Sequence, residues 1–271
     1  MVNLCLHSSV VLPMKINLKI VSILLLAAIF SCKKDKKSDP EPAPVPATGS
    51  LKLSYENMVD SVPLVFGNNY VNAHGDTFQV SKFNYYISNI VLIKSDNSTY
   101  AEPTSYHLVK HSVPGTGLIT LTGVPLGSYK ALSFMLGVDS ARDVSGAQSG
   151  DLDPVTASDM YWGWGSGYVA LKLEGSSPKS GAQDKTLTFH MGGIGGPYKP
   201  QRTFNLAFGS ASANVSTSVS PLVHLAVNAN RLFSPDTINF ANQYEQTTIG
   251  PGVKVYADNY AGMIRFKQLS N

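Results

Sequence analysis

Cysteine is nearly missing from this 271-residue chain: there are two, Cys5 and Cys32, both near the N-terminus. Beyond them nothing can form a disulfide, a thiolate metal site, an iron–sulfur cluster or a thiol nucleophile. Charge is sparse as well, at 14% Asp, Glu, Lys and Arg. Six of the 21 basic and three of the 18 acidic residues precede Gly49, which leaves 15 of each and no net charge. A neutral domain without basic clusters has little grip on a phosphate backbone, so nucleic acid is not expected as a partner. No apolar run reaches the roughly 20 residues that span a bilayer. Internal repeats are absent, and past the leader no window shows sustained helical periodicity. Enzyme signatures are missing too. Gly165-Ser166-Gly167 lacks the strand–elbow–helix setting of a hydrolase serine, and GGIGG at 192–196 opens no amphipathic helix to cradle a nucleotide. The chain reads as non-enzymatic.

What is present begins with a leader. From Met14, a better start than Met1, the chain reads MKINLKIVSILLLAAIFSC. A charged start, a short greasy core and a small residue before the cut describe a secretory signal peptide. Cys32 stands where a lipobox carries its lipidated cysteine. The expected division is therefore residues 1–31 as leader and lipoprotein signal peptide, 32–48 as lipidated cysteine and tether, and 49–271 as one domain. Residues 33–49, KKDKKSDPEPAPVPATG, have the charged, proline-rich make-up of an extended spacer. The expected location is the cell envelope, with the membrane reached through the lipid anchor.

The rhythm of residues 49–271 is period two. In KFNYYISNIVLIK, Phe83, Tyr85, Ile87, Val91 and Ile93 share a face; in KALSFMLGV, Leu132, Phe134, Leu136 and Val138 do. TFNLAF, SPLVHLAVN and GMIRFKQL repeat the pattern, while Ser210–Ser220 reads as a polar loop. Strands of this kind separated by Gly, Pro, Asn and Asp predict an all-β fold, a single antiparallel β-sandwich with long loops.

Residues 160–168, MYWGWGSGY, hold both tryptophans. Read as a strand, the segment puts Met160, Trp162, Trp164, Ser166 and Tyr168 on one face and Tyr161 with three glycines on the other. Such a wall is either an aromatic core anchor or a soft, polarizable surface with a thin back. His190 lies off the apolar face of its strand, and so does His224. Thioether and imidazole donors suit Cu(I), so Met160 and His190, with His224 as a second imidazole, are the candidate ligands. His74 in NAHGD reads as a turn residue. His107 and His111 share a strand face about 13 Å apart, too far for one ion. Asp139, Asp151 and Asp153 offer carboxylates to calcium, which needs about six to eight oxygens; capping turns is their commoner role.

The strings FMLGVDSARD, SGDLDPVTASDMYWGWGSGYVALKLEG and FHMGG, with FNYYISNIVL before and NRLF after, resemble the MbnP-like family of bacterial copper-binding proteins, which includes MopE and the metallo-mystery pair proteins. The resemblance covers most of residues 50–269. It implies a secreted or surface β-sandwich that binds copper, in which a tryptophan oxidised to kynurenine joins histidines as a Cu(I) ligand. It also implies a di-haem peroxidase-like partner that performs the oxidation. Trp162 and Trp164 match the family's W-x-W, Met160 the methionine ahead of it, and His190 the histidine of its HLGS segment. The metallo-mystery pair branch has an Asn-His pair shortly after LGV; Asp143-Val144 stand there in this chain, and the branch's cysteines are absent.

Overall fold

The computed structural model describes residues 46–144, 148–163, 165–194 and 196–271. The leader, Cys32, the tether up to Val45, and Trp164 lie outside the described residues.

The alternating segments form two sheets whose apolar faces meet. The smaller sheet has five strands: β1 (Thr48–Val59), β2 (Val62–Pro63), β7 (Leu118–Pro125), β13 (Leu222–Asn228) and β15 (Ile264–Ser270). Its order is β15-β13-β1-β2, with β7 also on β1. The larger, ten-stranded sheet is built on β4 (Thr77–Lys94), β8 (Gly127–Leu136), β9 (Val169–Ser176), β10 (Thr186–Gly192) and β11 (Arg202–Ala207). Short strands β3 (Tyr70–Val71), β5 (Thr99–Ala101) and β6 (Tyr106–Lys110) join β4, β12 (Ala213–Val215) joins β8, and β14 (Glu245–Gln246) joins β10. The architecture is the expected β-sandwich, but its pairing is mixed. Strands β1 and β13 run parallel, as do β10 and β14. A parallel partner needs a long crossover, and residues 60–221 supply it for β1.

Leu53, Tyr55, Phe83, Tyr85, Phe134, Phe189, Val223 and Leu225 are buried in the shared core. Two breaks in the alternation redirect it. After Ile87 the core residues are Ile90 and Leu92, whereas Val91 and Ile93 are only half-buried. The register shifts between Ser88 and Val91, where Asn89 takes a φ of 54°; one inserted residue swaps the faces of everything after it. Gly137, at φ 110°, ends β8 and sends Val138 into a separate apolar cluster with Tyr86, Leu108, Met160, Tyr168 and Val169. That cluster covers the side of the larger sheet turned away from the core.

Two further expectations need correction. The stretch Ser210–Ser220 contains β12, whose Ala213 and Val215 are buried against β8. A helix, Pro251–Tyr260, is also present, with Val253, Tyr256, Ala257 and Tyr260 buried on one stripe. That i, i+3, i+4, i+7 spacing is the helical signal, compressed into ten residues.

Strand ends define two poles. Thr48 pairs with Pro125 and Val215 with Gly127, so the chain enters the domain at the Gly127 end of β8. Leu136, paired with Arg202, lies at the other end, about 30 Å away at the rise of a strand.

Candidate functional site

The described residues of MYWGWGSGY, on either side of Trp164, form a tight turn and not a strand. Met160 closes the 3-10 turn Ser158–Met160, and Tyr161 bridges Tyr168 antiparallel. Trp162 N donates to Gly167 O at 2.9 Å, and Gly167 N to Gly163 O at 2.9 Å. Gly163 and Gly167 have φ of 102° and 69°, a region open to glycine, which is why the chain can reverse here. The alternating face expected from a strand therefore does not form. Met160 is fully buried in the outer apolar cluster, so its thioether is packed among apolar side chains. Trp162 is half-buried, and its ring lies on Gly192 at the end of β10.

A Cβ on Gly192 would sit 2.5–2.9 Å from three atoms of that ring. Gly192→Ala is thus expected to push the indole outward and to cost about 1–3 kcal/mol as overpacking. Tryptophan fluorescence shifting to the red, together with a lower denaturation midpoint, checks this; an unchanged spectrum contradicts it.

Three segments distant in sequence meet around this turn. The short helix α1 (Ser140–Asp143) is capped by Asp139, whose carboxylate accepts from Arg142 N. At its far end the buried Asp143 accepts from Tyr168 N at 2.7 Å. Gln201 Nε2 donates to Val138 O at 3.0 Å and to Gly193 O at 3.1 Å, and reaches Asp143 Oδ2 at 3.4 Å. The region after β8, the tryptophan turn and the exit of β10 are stitched together by these bonds.

His190 lies on the same outward side, at the end of a polar row that crosses four strands. Lys110 on β6 is opposite Asn84 on β4, Asn84 is opposite Lys172 on β9, and Lys172 is opposite His190 on β10. In the next rung Lys82 faces Glu174, with nitrogen and oxygen 3.4 Å apart. Asp159, from the turn above, lies 3.6 Å from the Lys82 ammonium and 3.9 Å from that of Lys110, and takes an N–H from Asn84 at 3.2 Å. The buried Lys172 ammonium donates to Asp159 O. Sequence reasoning missed Lys82, Asn84, Lys110, Asp159, Lys172 and Glu174. The signal was available for the strand residues: each sits at the polar beat of an alternating strand.

His190 Nε2 is 2.8 Å from Glu174 Oε1, and Nδ1 has no hydrogen bond among the described residues. Burial, reinforced by the Lys172 charge, lowers the His190 pKa; the Glu174 bond opposes the shift. The imidazole is held neutral, the form that ligates metals. A carboxylate on the other ring nitrogen is the arrangement that orients metal-binding histidines. It does not single out His190, because His74 pairs with Asp76, His107 with Glu102 and His224 with Glu56. What distinguishes it is its place on β10, where Gly192, two residues on, carries the Trp162 ring. His224 belongs to the smaller sheet and points off the core on that side, so the sandwich lies between the two imidazoles. The structure puts the Trp162 ring against Gly192, two residues along β10 from His190, and leaves His224 on the other sheet. Among the described residues no three His, Cys, Asp or Glu side chains cluster to hold a metal.

The remaining assignments follow their expected roles, Asp151 excepted. His74 sits in the turn before β4. His111 meets Asn57 and the Phe66 ring, far in register from the Glu102-bound His107. Asp139 takes an N–H from Arg142 and Asp153 from Val155 at 2.9 Å, both as local backbone caps, whereas Asp151 takes the N–H of Leu108 at 2.8 Å and so ties its turn to β6.

The sequence model of the MbnP family matches residues 48–252. The chain belongs to the MbnP family. The solved structure of MbnP from Methylosinus trichosporium is similar in fold, with a TM-score of 0.53 over 76% of this chain and 83% of that one, at 13% identity. No curated protein matches the sequence. In this MbnP-family chain, the segments that carry the resemblance, after β8, at 160–168 and at 189–193, are the three that converge. Where the metallo-mystery pair branch places Asn-His, Asp143 turns inward to the tryptophan turn and Val144 is exposed.

Asp143 gives the site a pH signature. Burial, helped by the charge of Asp139 and opposed by the Tyr168 N–H, raises its pKa to about 7. A carboxyl that binds its proton more tightly when folded than when unfolded lowers stability as pH rises from about 4 to about 7. The melting temperature of Asp143→Asn minus that of the parent is therefore expected to grow over that interval and level off above it. A difference that shrinks with rising pH contradicts the assignment.

Proposed function

We propose that this MbnP-family protein is a non-enzymatic, lipid-anchored protein of the cell envelope that holds copper on the outward side of the larger sheet. His190 Nδ1 is the imidazole donor, and the Trp162 turn forms the wall beside it. The observation that carries this reading is the Trp162 ring resting on Gly192, two residues from His190 on the same strand. A neutral imidazole oriented by Glu174 suits a soft, low-coordinate ion such as Cu(I) better than a hard cation that needs many oxygens. Copper supplies a soft Lewis-acid centre when bound; the chain's own part is to keep the imidazole unprotonated and to limit water with the indole. The family resemblance extends the proposal to oxidation of Trp162 or Trp164 by a di-haem peroxidase-like partner. The leader and Cys32 support secretion and anchoring. Among the described residues no helix is long and apolar enough to cross a membrane.

Titration of the purified full chain with Cu(I) against a chromogenic chelator is expected to give about one bound ion per chain. Tryptic mapping of protein from its native host is expected to find kynurenine at Trp162 or Trp164. Absence of chelator competition refutes the copper reading. A second reading, an interaction lipoprotein that has kept the sandwich and lost the metal, is favoured by one observation: the residue paired with His190 across the strands is a lysine, Lys172, and His224 is on the other sheet.

A further inference from the structure

Beside the tryptophan turn, at the pole of the domain away from Thr48, the chain leaves a basic groove. Gly196, Lys199, Gln201, Arg202, Thr203 and Lys254 line a surface groove of about 480 Å³. Arg202 fixes its floor. Nη1 donates to Lys199 O at 2.9 Å and Gln201 O at 2.8 Å, and Nη2 to Asp258 Oδ1 at 2.6 Å. Asp258 is also the partner of Lys254. One carboxylate thus answers the cations of Arg202 and Lys254, while Lys199 has no ion pair among the described residues. In a domain with 15 cations and 15 anions, that is a local excess of positive charge.

Exposed apolar side chains lie near it, Tyr198 between the lining residues Pro197 and Lys199, and Ile249 against Gly193. Tyr198 and Ile249 are 37% and 47% exposed. Ile249 lies over Gly193, the residue after the glycine that supports Trp162, and Gln201 bonds to Gly193 O. A surface with fixed cations, two exposed apolar side chains and a direct path of contacts to the indole is suited to another macromolecule. Small anions are held by buried donors, whereas Lys199 and Lys254 are exposed. The charge argument depends neither on a lipid anchor nor on copper.

We infer that the groove docks a partner protein presenting clustered carboxylates next to an apolar contact, and so brings that partner to the edge of the Trp162 turn. Lysines at the rim of such a surface steer encounter and make it salt-dependent.

The test uses the purified full chain and a fluorescein-labelled peptide, Glu-Glu-Leu-Glu-Glu-Leu-Glu-Glu, read by anisotropy. The parent is expected to bind it, and added salt to weaken binding. Lys199→Glu with Lys254→Glu is expected to reduce affinity at least about tenfold. Lys199→Ala with Lys254→Ala, which keeps the melting temperature of the parent, is expected to show a smaller loss in the same direction. Replacing the tether lysines 33, 34, 36 and 37 by serine should change nothing. Failure of the parent to bind, equal binding by the groove variants, loss confined to the tether variant, or displacement by inorganic phosphate beyond that of sodium chloride at equal ionic strength, or by phosphatidylglycerol vesicles, each overturns the inference. Cu(I) titration of the same groove variants should match the parent, which separates failure here from failure of the copper reading.

Discussion

Replacement of His190 by alanine is expected to weaken Cu(I) binding by the full chain at least about 100-fold, with the melting temperature moving by no more than about 2 °C. The two halves have different causes. His190 Nδ1 has no hydrogen bond among the described residues, and the candidate second imidazole, His224, belongs to the other sheet, so it cannot take over. Its structural share is small: it is half-buried, off the core, with one hydrogen bond to Glu174. A milder change, Glu174→Gln, should keep the ring in place and lower affinity by about tenfold, through loss of the charge that orients it. Acid should act like the alanine variant. The His190 pKa lies below the ordinary imidazole value, so the donor stays available through neutral pH and is lost only as pH falls well under about 6.5. Equal affinity of parent and His190→Ala contradicts this account.

Phe233→Ala is expected to cost about 3–5 kcal/mol of unfolding free energy, measured by urea denaturation. Phe233 closes the 3-10 turn Ala229–Phe233 after β13 and is fully buried. Its ring meets Phe78, Phe189 and Phe240 at centroid distances of 5.3, 5.2 and 5.0 Å, two of them edge-on at 82° and 87°. Removing it opens a cavity among three rings carried by separate elements, which can collapse only partly. Phe189 precedes His190 on β10 and faces the opposite side. The variant therefore also tests whether core and site are separable: below its melting range it should bind Cu(I) as the parent does. A cost under about 1 kcal/mol contradicts the packing described.

Much of the sandwich was legible because alternation is a local signal. Phe83, Tyr85 and Ile87, Leu132 and Phe134, and Val223 and Leu225 went to the core as their period requires. The misplacements have backbone causes that composition does not reveal. A bulge at Asn89 exchanged Val91 and Ile93 for Ile90 and Leu92, and Gly137 carried Val138 across the sheet. MYWGWGSGY has strand-like alternation, yet Gly163 and Gly167 take positive φ and fold it into a turn. Glycine at every other position permits both outcomes, and tertiary contacts choose. For the site, the polar parity of His190 was readable. Its neighbours were not, since Lys172, Glu174 and Asn84 reach it through non-local strand pairing. The family resemblance supplied the segments that meet, and the structure separated His224 from them.

The central claim is that one imidazole beside the tryptophan turn holds the metal. Nitrogen-15 NMR of histidine-labelled full chain, recorded before and after one equivalent of Cu(I), tests it most directly. The account predicts that the Nδ1 resonance of His190 moves, while the ring nitrogens of His74, His107 and His224 stay where they were. A shift at His224 with His190 unmoved, or no shift at any histidine, would contradict it.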